Sequence, residues 1–537
     1  MTGPAAIRWT PWQVRAGWLL RAHRLCHADA SRRELPGFAQ AYREGHRGAA
    51  GTSPSSLSRW ETGRVPVVQE AVRRYERVLG LPAYSLLAPI QTIARHEGGP
   101  AAAAFLRGGS GPAVPDGADP RFESLLDRAL DGGVLTGGDW ERLSRWAVHG
   151  GGHVSPGRVR SAVVRRLLEE TLVSGGVSWM RRFESLGRLM ADPRWGPEVI
   201  AVCSGAAEQS DHAGLIEVVC ALDGSPHPDA GRAVLRQLTD PTTPDSLYGA
   251  LLAAARKTRK RHFGAEQTRT LVDLVDGVLT SGPGPGLPPP ALEAASVLLA
   301  SLPLAPAHAA RLTRAAAGRG GVVRAVVTHG SLTDPASASV VVGRLLARLA
   351  GDVPKTTAGV LSGLLDDLLH HPVADMRLYA AILLRASPYG SGVAAALAAE
   401  IGQPGTLRAE DRAVPLLHAL RVLGGPGQRE VVAGLTLARG LPAGVVLAAV
   451  HALGHIGGHS PESYWRAVFD QHTRATTADP AGQHGVMKRL VYGFAMAGEL
   501  PLLTRLVEEQ DRAASAQHLS RWWTGLAHHI SDSARRG

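Results

Sequence analysis

One pattern recurs along almost the entire chain: runs of about 12–18 residues with apolar positions three and four apart, each ended by Gly, Pro or Ser. GVLSGLLDDLLHH, MRLYAAILLRAS, RAVPLLHALRVLGG and GVVLAAVHALGHIGG are examples. After Ser155-Pro156, a cap residue and a first-turn proline, Val159, Val163, Leu167 and Leu168 fall on one helical face. No segment alternates convincingly with a period of two. These features predict an all-α fold. Aromatic residues are only 5% of a chain that is 45% hydrophobic, so Leu, Val and Ala must fill its cores, which suits helix-on-helix packing.

The breaks divide the 537 residues into five stretches. Residues 1–96 form a basic, helical N-terminal domain. Residues 97–119, rich in Gly, Ala and Pro, read as a linker. A helical domain follows over 120–280, then the Pro/Gly stretch 281–290 (SGPGPGLPPP), then a second helical block over 291–537. From about Pro354 the helices pair at intervals near the roughly 40–47 residues of two-helix solenoid repeats. HHPVADMRLYAAILLRAS and LPAGVVLAAVHALGHIGG resemble HEAT-type repeats, which implies an α-helical repeat body, a HEAT-like solenoid.

The formal charge of +11 is unevenly placed. Residues 1–96 carry 14 Arg and no Lys against 6 Asp and Glu, a surplus of +8 in the first sixth of the chain. Positive charge concentrated in a small segment is the footprint of a polyanion partner, and arginine suits bidentate contacts to phosphate and guanine.

Within that segment the periodicity predicts helices over WQVRAGWLLRAHRL, LPGFAQAYRE and VVQEAVRRYERVLGL, the last with Val68, Val72, Tyr75 and Leu79 on one stripe. Between the second and third lies SPSSLSRWETGRVP. Together with YERVLGLP it resembles the Xre-type (lambda-repressor-like) helix-turn-helix family, over about 75 residues. The resemblance implies a recognition helix starting near Ser53. Its first turn would face base edges in the major groove through Ser53, Pro54, Ser55 and Ser56, with Arg59 able to bridge a guanine. Thr62, Arg64, Arg43 and Arg73 would contact phosphate, and Arg74 is a further candidate. Leu57 and Trp60 would anchor the helix, and Gly63 would end it. Glu61 would hold the fold through an ion pair with Arg24. The passage AYREGHRGAAGTS departs from the pattern: it is longer than the family's tight turn, and it carries His46 and Arg47.

Other signals weigh less. His451, His455 and His459 fall four apart, but HExxH is absent and Gly457-Gly458 ends the helix before His459. His370-His371 closes a helix, where a cation would suit the dipole. The run RKTRKRHFG (residues 256–264) is the densest basic patch of the body and reads as a charged turn or a second nucleic-acid contact. Trp522 and Trp523 suggest a solenoid cap or dimer contact. Cys26, Cys203 and Cys220 are too far apart for a thiolate metal site. No nucleotide-loop, nucleophile-elbow or paired-carboxylate motif occurs, so no enzyme, cofactor or metal is expected.

The expectation is a DNA-binding transcriptional regulator in the cytoplasm, associated with the nucleoid. Its partners would be double-stranded DNA, a second copy in a homodimer, and a small-molecule, peptide or protein effector at the helical body, with no membrane. The alternatives are a protein-interaction scaffold tethered to DNA by the helix-turn-helix, and an enzyme acting on DNA.

Overall fold

The computed structural model describes residues 4–44, 51–108, 120–149, 156–209, 215–280, 289–349, 351, 353–478 and 480–511. His46, Arg47, Trp522, Trp523 and most of the 281–290 stretch lie outside the described residues. Among the described residues the chain is all α, with thirty α-helices and no strand. No helix among them is long and apolar enough to cross a membrane.

The N-terminal helices are α1 (Trp12–Leu25), α2 (Ala30–Arg33), α3 (Leu35–Arg43), α4 (Pro54–Glu61), α5 (Gln69–Val78), α6 (Leu87–Glu97) and α7 (Gly99–Arg107). The chain divides into two compact units, and neither is contiguous. The first comprises residues 1–17, 42–335 and 371–374; the second comprises 18–41, 336–370 and 375–537. The boundaries expected at 96 and 290 are therefore not those of the compact units. Helix α1 is buried along its length, at Trp12 and Ala16 in the residues of the first unit and at Trp18, Leu19, Leu20 and Ala22 in those of the second. A helix of that kind needs neighbours on every side.

In the first unit, residues 99–107 correct the linker expectation by forming α7. Alanine is the strongest helix former, and the AAAAF run is anchored by Phe105, whose ring lies 5.0 Å from that of Trp12. Gln69 seals the helix end by donating to the Phe105 carbonyl at 2.8 Å.

Farther along, alternate helices stack in two rows. One row is Gly157–Leu172, Gly196–Ala207, Pro228–Thr239, Ala265–Thr280 and Pro306–Gly318. The other is Leu215–Ala221, Pro244–Arg259, Pro289–Ser301 and Gly321–His329. Leu167, Val199, Val234, Leu251 and Leu298 lie in the common core. Each helix buries one stripe against the helix two places on, the packing of a helical-repeat body.

Carboxylates inside this unit are matched by arginines. Glu141 takes Arg145 at 2.6 Å and Arg181 at 2.9 Å. Glu170 takes Arg166 at 2.9 Å and Arg182 at 3.1 Å, and accepts from the Trp140 indole at 2.7 Å. Removing one partner from such a buried pair costs on the order of 3–5 kcal/mol.

The second unit has the same alternation. Gly390–Ile401, Glu410–Leu423, Ala443–Leu453 and Pro480–Met496 stack in one row, and Pro426–Leu437 packs on Glu462–Ala478 in another. The intervals from Glu410 to Ala443 and from Ala443 to Pro480 are shorter than the expected repeat. The turns account for this, since residues 424–425 and 438–442 alone separate successive helices. The second half of α1 belongs here: Trp18 donates its indole N–H to the Thr357 carbonyl at 3.2 Å, and His23 Nε2 bonds the Ala386 carbonyl at 2.7 Å.

Candidate nucleic-acid interface

Helix α4 begins where the sequence predicts. Ser53 is its N-cap, with extended backbone, and its hydroxyl accepts from the Ser56 amide at 3.2 Å. Pro54 follows at the first helical position, where a missing N–H costs nothing. The Ser53 hydroxyl also lies 3.1 Å from the hydroxyls of both Ser55 and Ser56. Ser53 is thus a helix-building residue first; Ser55 is the exposed member of the group.

The inner face of α4 is fixed by packing. Leu57 is fully buried. Trp60, half-buried, sits with its ring 6.2 Å from that of Tyr42, which in turn meets the Tyr75 ring at 5.7 Å. Glu61 is buried and accepts from the Tyr75 hydroxyl at 3.2 Å. Arg24 is also buried, and its guanidinium donates to the Arg33 carbonyl.

The end of α4 is set by Gly63. Its φ of +68° is the left-handed conformation that glycine adopts without strain, and its amide closes on the Trp60 carbonyl at 3.0 Å. A Cβ at this position would come within 2.7 Å of the Val14 Cα. The same lack of side chain recurs at Gly17, where a Cβ would meet the Glu61 carbonyl carbon at 2.9 Å. The corner after α4 therefore packs directly on the α1 backbone.

On the outer face, Arg59 and Arg64 are exposed, and their guanidinium groups make no hydrogen bond or ion pair among the described residues. The other residues assigned to phosphate are more engaged. The Thr62 hydroxyl donates to the Ser58 carbonyl at 2.8 Å, which occupies its proton. Arg43 is exposed and reaches the Thr52 carbonyl at 3.3 Å. Arg73 is drawn to Glu70 at 3.9 Å and Gln69 at 3.5 Å. Arg74 closes the end of α3 instead, donating to the carbonyls of Tyr42, at 2.9 Å, and Glu44.

Two residues of α5 hold this corner together. Tyr75 supplies the bond to Glu61. Glu76, buried on α5, accepts from the amides of Tyr84, Leu86 and Leu87 at 3.0, 2.8 and 2.9 Å and so caps the start of α6. The acid beside the aromatic in YERVLGLP was the available signal. Val68, expected in the buried stripe, is 54% exposed because it is the N-cap of α5 rather than part of the helix.

The basic run at 256–264 is consumed by the fold. Lys257 is fully buried, donates to the Ser225 carbonyl at 2.6 Å, and is held down to about 8 by desolvation. Lys260 pairs with Asp223 at 2.9 Å. Arg259 donates to the His96 carbonyl at 2.7 Å and covers the Trp9 ring at 4.4 Å. The charged-turn reading of this run fits these contacts; the nucleic-acid one has few free cations left.

The expected cation at His371 is also corrected. Its Nδ1 accepts from the Val373 amide, and its Nε2 faces the Arg8 carbonyl at 3.0 Å, the pattern of a neutral ring. His459 turns to Glu499 at 3.5 Å, away from a shared site with His451 and His455. Among the described residues no group of three or more His, Cys, Asp or Glu is placed to hold a metal ion. No known family model matches the chain, and no curated protein compared with it is similar.

Proposed function

We propose that this chain is a sequence-specific DNA-binding transcriptional regulator that reads duplex DNA through α4, with the helical-repeat body serving dimerisation and effector or partner binding. The observation that carries the reading is the two-sidedness of α4. Leu57, Trp60, Glu61 and Gly63 hold it from within, while Ser55, Arg59 and Arg64 stand exposed with both guanidinium groups uncommitted. Long-range charge supports the same reading, because the surplus of +8 over residues 1–96 attracts a polyanion to this end of the sequence.

Selection of bound duplexes from a random pool by the intact protein tests it. Enrichment of a shared half-site, repeated with two-fold symmetry, supports a dimeric regulator. Recovery of unenriched sequences, or of none, rejects base readout and moves the weight to a scaffold that acts through protein partners.

A further inference from the structure

Ahead of α1 the chain has no helix, and from Ala5 to Pro11 it runs with neither turn nor bend. The first unit nonetheless holds this segment at successive points. The Ala5 amide donates to the Val327 carbonyl at 2.9 Å. That carbonyl lies in the last turn of helix Gly321–His329, where carbonyls lack donors from their own helix. The helix ends on Gly330 at φ +65°, and a Cβ there would lie 2.6 Å from the Ala6 carbonyl oxygen. His371 accepts from the Val373 amide through Nδ1, which leaves Nε2 to donate to the Arg8 carbonyl at 3.0 Å.

Trp9 takes the last position. The Arg259 guanidinium covers its ring at 4.4 Å, and the His371 ring meets it edge-on at 5.6 Å. Arg259 is anchored independently of the indole, by its bond to the His96 carbonyl at 2.7 Å.

This seat has the properties of a recognition surface rather than of a core. Its contacts to residues 5–8 are made to an amide and two carbonyls, which every peptide possesses. Its one aromatic contact is to a tryptophan that stays 39% exposed. Main-chain capture supplies affinity in such sites, and a place for one side chain supplies selectivity.

We propose that Val327, Gly330, His371 and Arg259 form a docking site for an extended peptide carrying a tryptophan, occupied from within the chain by residues 4–9. A partner peptide of that chemistry binds by displacing them. The site gives the helical-repeat body a class of partner and stands whether or not α4 reads DNA.

Fluorescence anisotropy of a dye-labelled peptide of residues 4–11, PAAIRWTP, titrated with the intact protein tests the proposal. The internal segment competes at an effective concentration of about millimolar, so the parent should bind the peptide weakly. Trp9→Ala in the protein loosens that segment and should raise affinity for the peptide about tenfold or more. The same peptide with Trp9→Ala should bind neither protein. Adding Arg259→Gln to the opened protein should lower the affinity again, and adding Gly330→Ala should abolish it.

Melting of each variant reports its fold. Should Trp9→Ala melt early, Ala5→Pro takes its place, since proline removes the amide that Val327 accepts. Should Gly330→Ala melt early, the Arg259→Gln result decides. No saturable binding to the opened protein overturns the proposal, as does equal binding of the alanine peptide or indifference to Arg259→Gln. Parent dimers that the peptide disperses would also overturn it, by assigning the seat to residues 4–9 of a second copy.

Discussion

Tyr75 and Glu61 meet in the buried corner of the N-terminal helices, the phenol donating to the carboxylate at 3.2 Å. A buried carboxylate that loses a donor keeps its desolvation cost. Tyr75→Phe should therefore lower unfolding stability by about 1–3 kcal/mol, read from the denaturant midpoint at unchanged slope. An unchanged midpoint would show that Glu61 does not depend on the phenol.

Two left-handed glycines separate strain from collision. Gly63 and Gly80 have φ of +68° and +65°, but only at Gly63 does a side chain run into backbone. Gly80→Ala should cost about 1–2 kcal/mol from conformation alone. Gly63→Ala should cost more, since the Val14 backbone cannot step aside, and should also impair DNA binding. Equal thermal midpoints for the two variants would contradict the packing described for the corner.

Three arginines should fail in three different ways. Arg59→Ala is expected to relax preference at one base position, a loss of about 1–3 kcal/mol in discrimination. Arg64→Ala should weaken binding to all sequences alike and flatten the salt dependence. Arg74→Ala should act mainly on stability, because its guanidinium holds the end of α3. Competition binding across a salt series, with melting of each variant, separates these outcomes.

Acid should destabilise the fold through His96. It is buried at 6% exposure, and burial together with Arg259, Arg256, Lys260 and Arg15 holds its pKa well below 6.5. The native ring stays neutral while the unfolded ring takes a proton below pH 6.5, so the unfolded state binds more protons. Stability is full above 6.5 and falls by about 1.4 kcal/mol per pH unit below it, until the native pKa is reached. Stability measured from pH 7.5 to 5 should show a shallower slope in His96→Gln.

The three thiols should differ in reactivity. Cys26 is exposed, whereas Cys203 and Cys220 are buried and burial pushes the Cys203 thiol up to about 12. A disulfide reagent should modify one thiol per native chain quickly and the others only on unfolding. Fast reaction of Cys203 would rule out its burial.

Helices were legible because the three-and-four spacing repeats within single segments, and α4 was legible because its cap, anchors and terminal glycine lie within eleven residues, Ser53 to Gly63. Glu61 could be read as structural from the motif it sits in. Residues 99–107 were misread because flanking glycines outweighed the alanine run between them. The engagement of Thr62, Arg74 and Lys257 was hidden because it depends on carbonyls, and every sequence has carbonyls. The approach of Arg421 and Arg489 to His451 Nε2, at 3.1 and 3.4 Å, was hidden for another reason: the three residues come from separate helices, and no spacing rule links Arg421 to Arg489.

The contact between Gly454 and Gly493, where a Cβ on Gly454 would lie 2.8 Å from the Gly493 Cα, sets how two neighbouring helices of the second unit meet. With no side chain between them, the turn after helix Ala443–Leu453 meets helix Pro480–Met496 backbone to backbone. Widening the contact by one methyl group should loosen that geometry without touching a single charge.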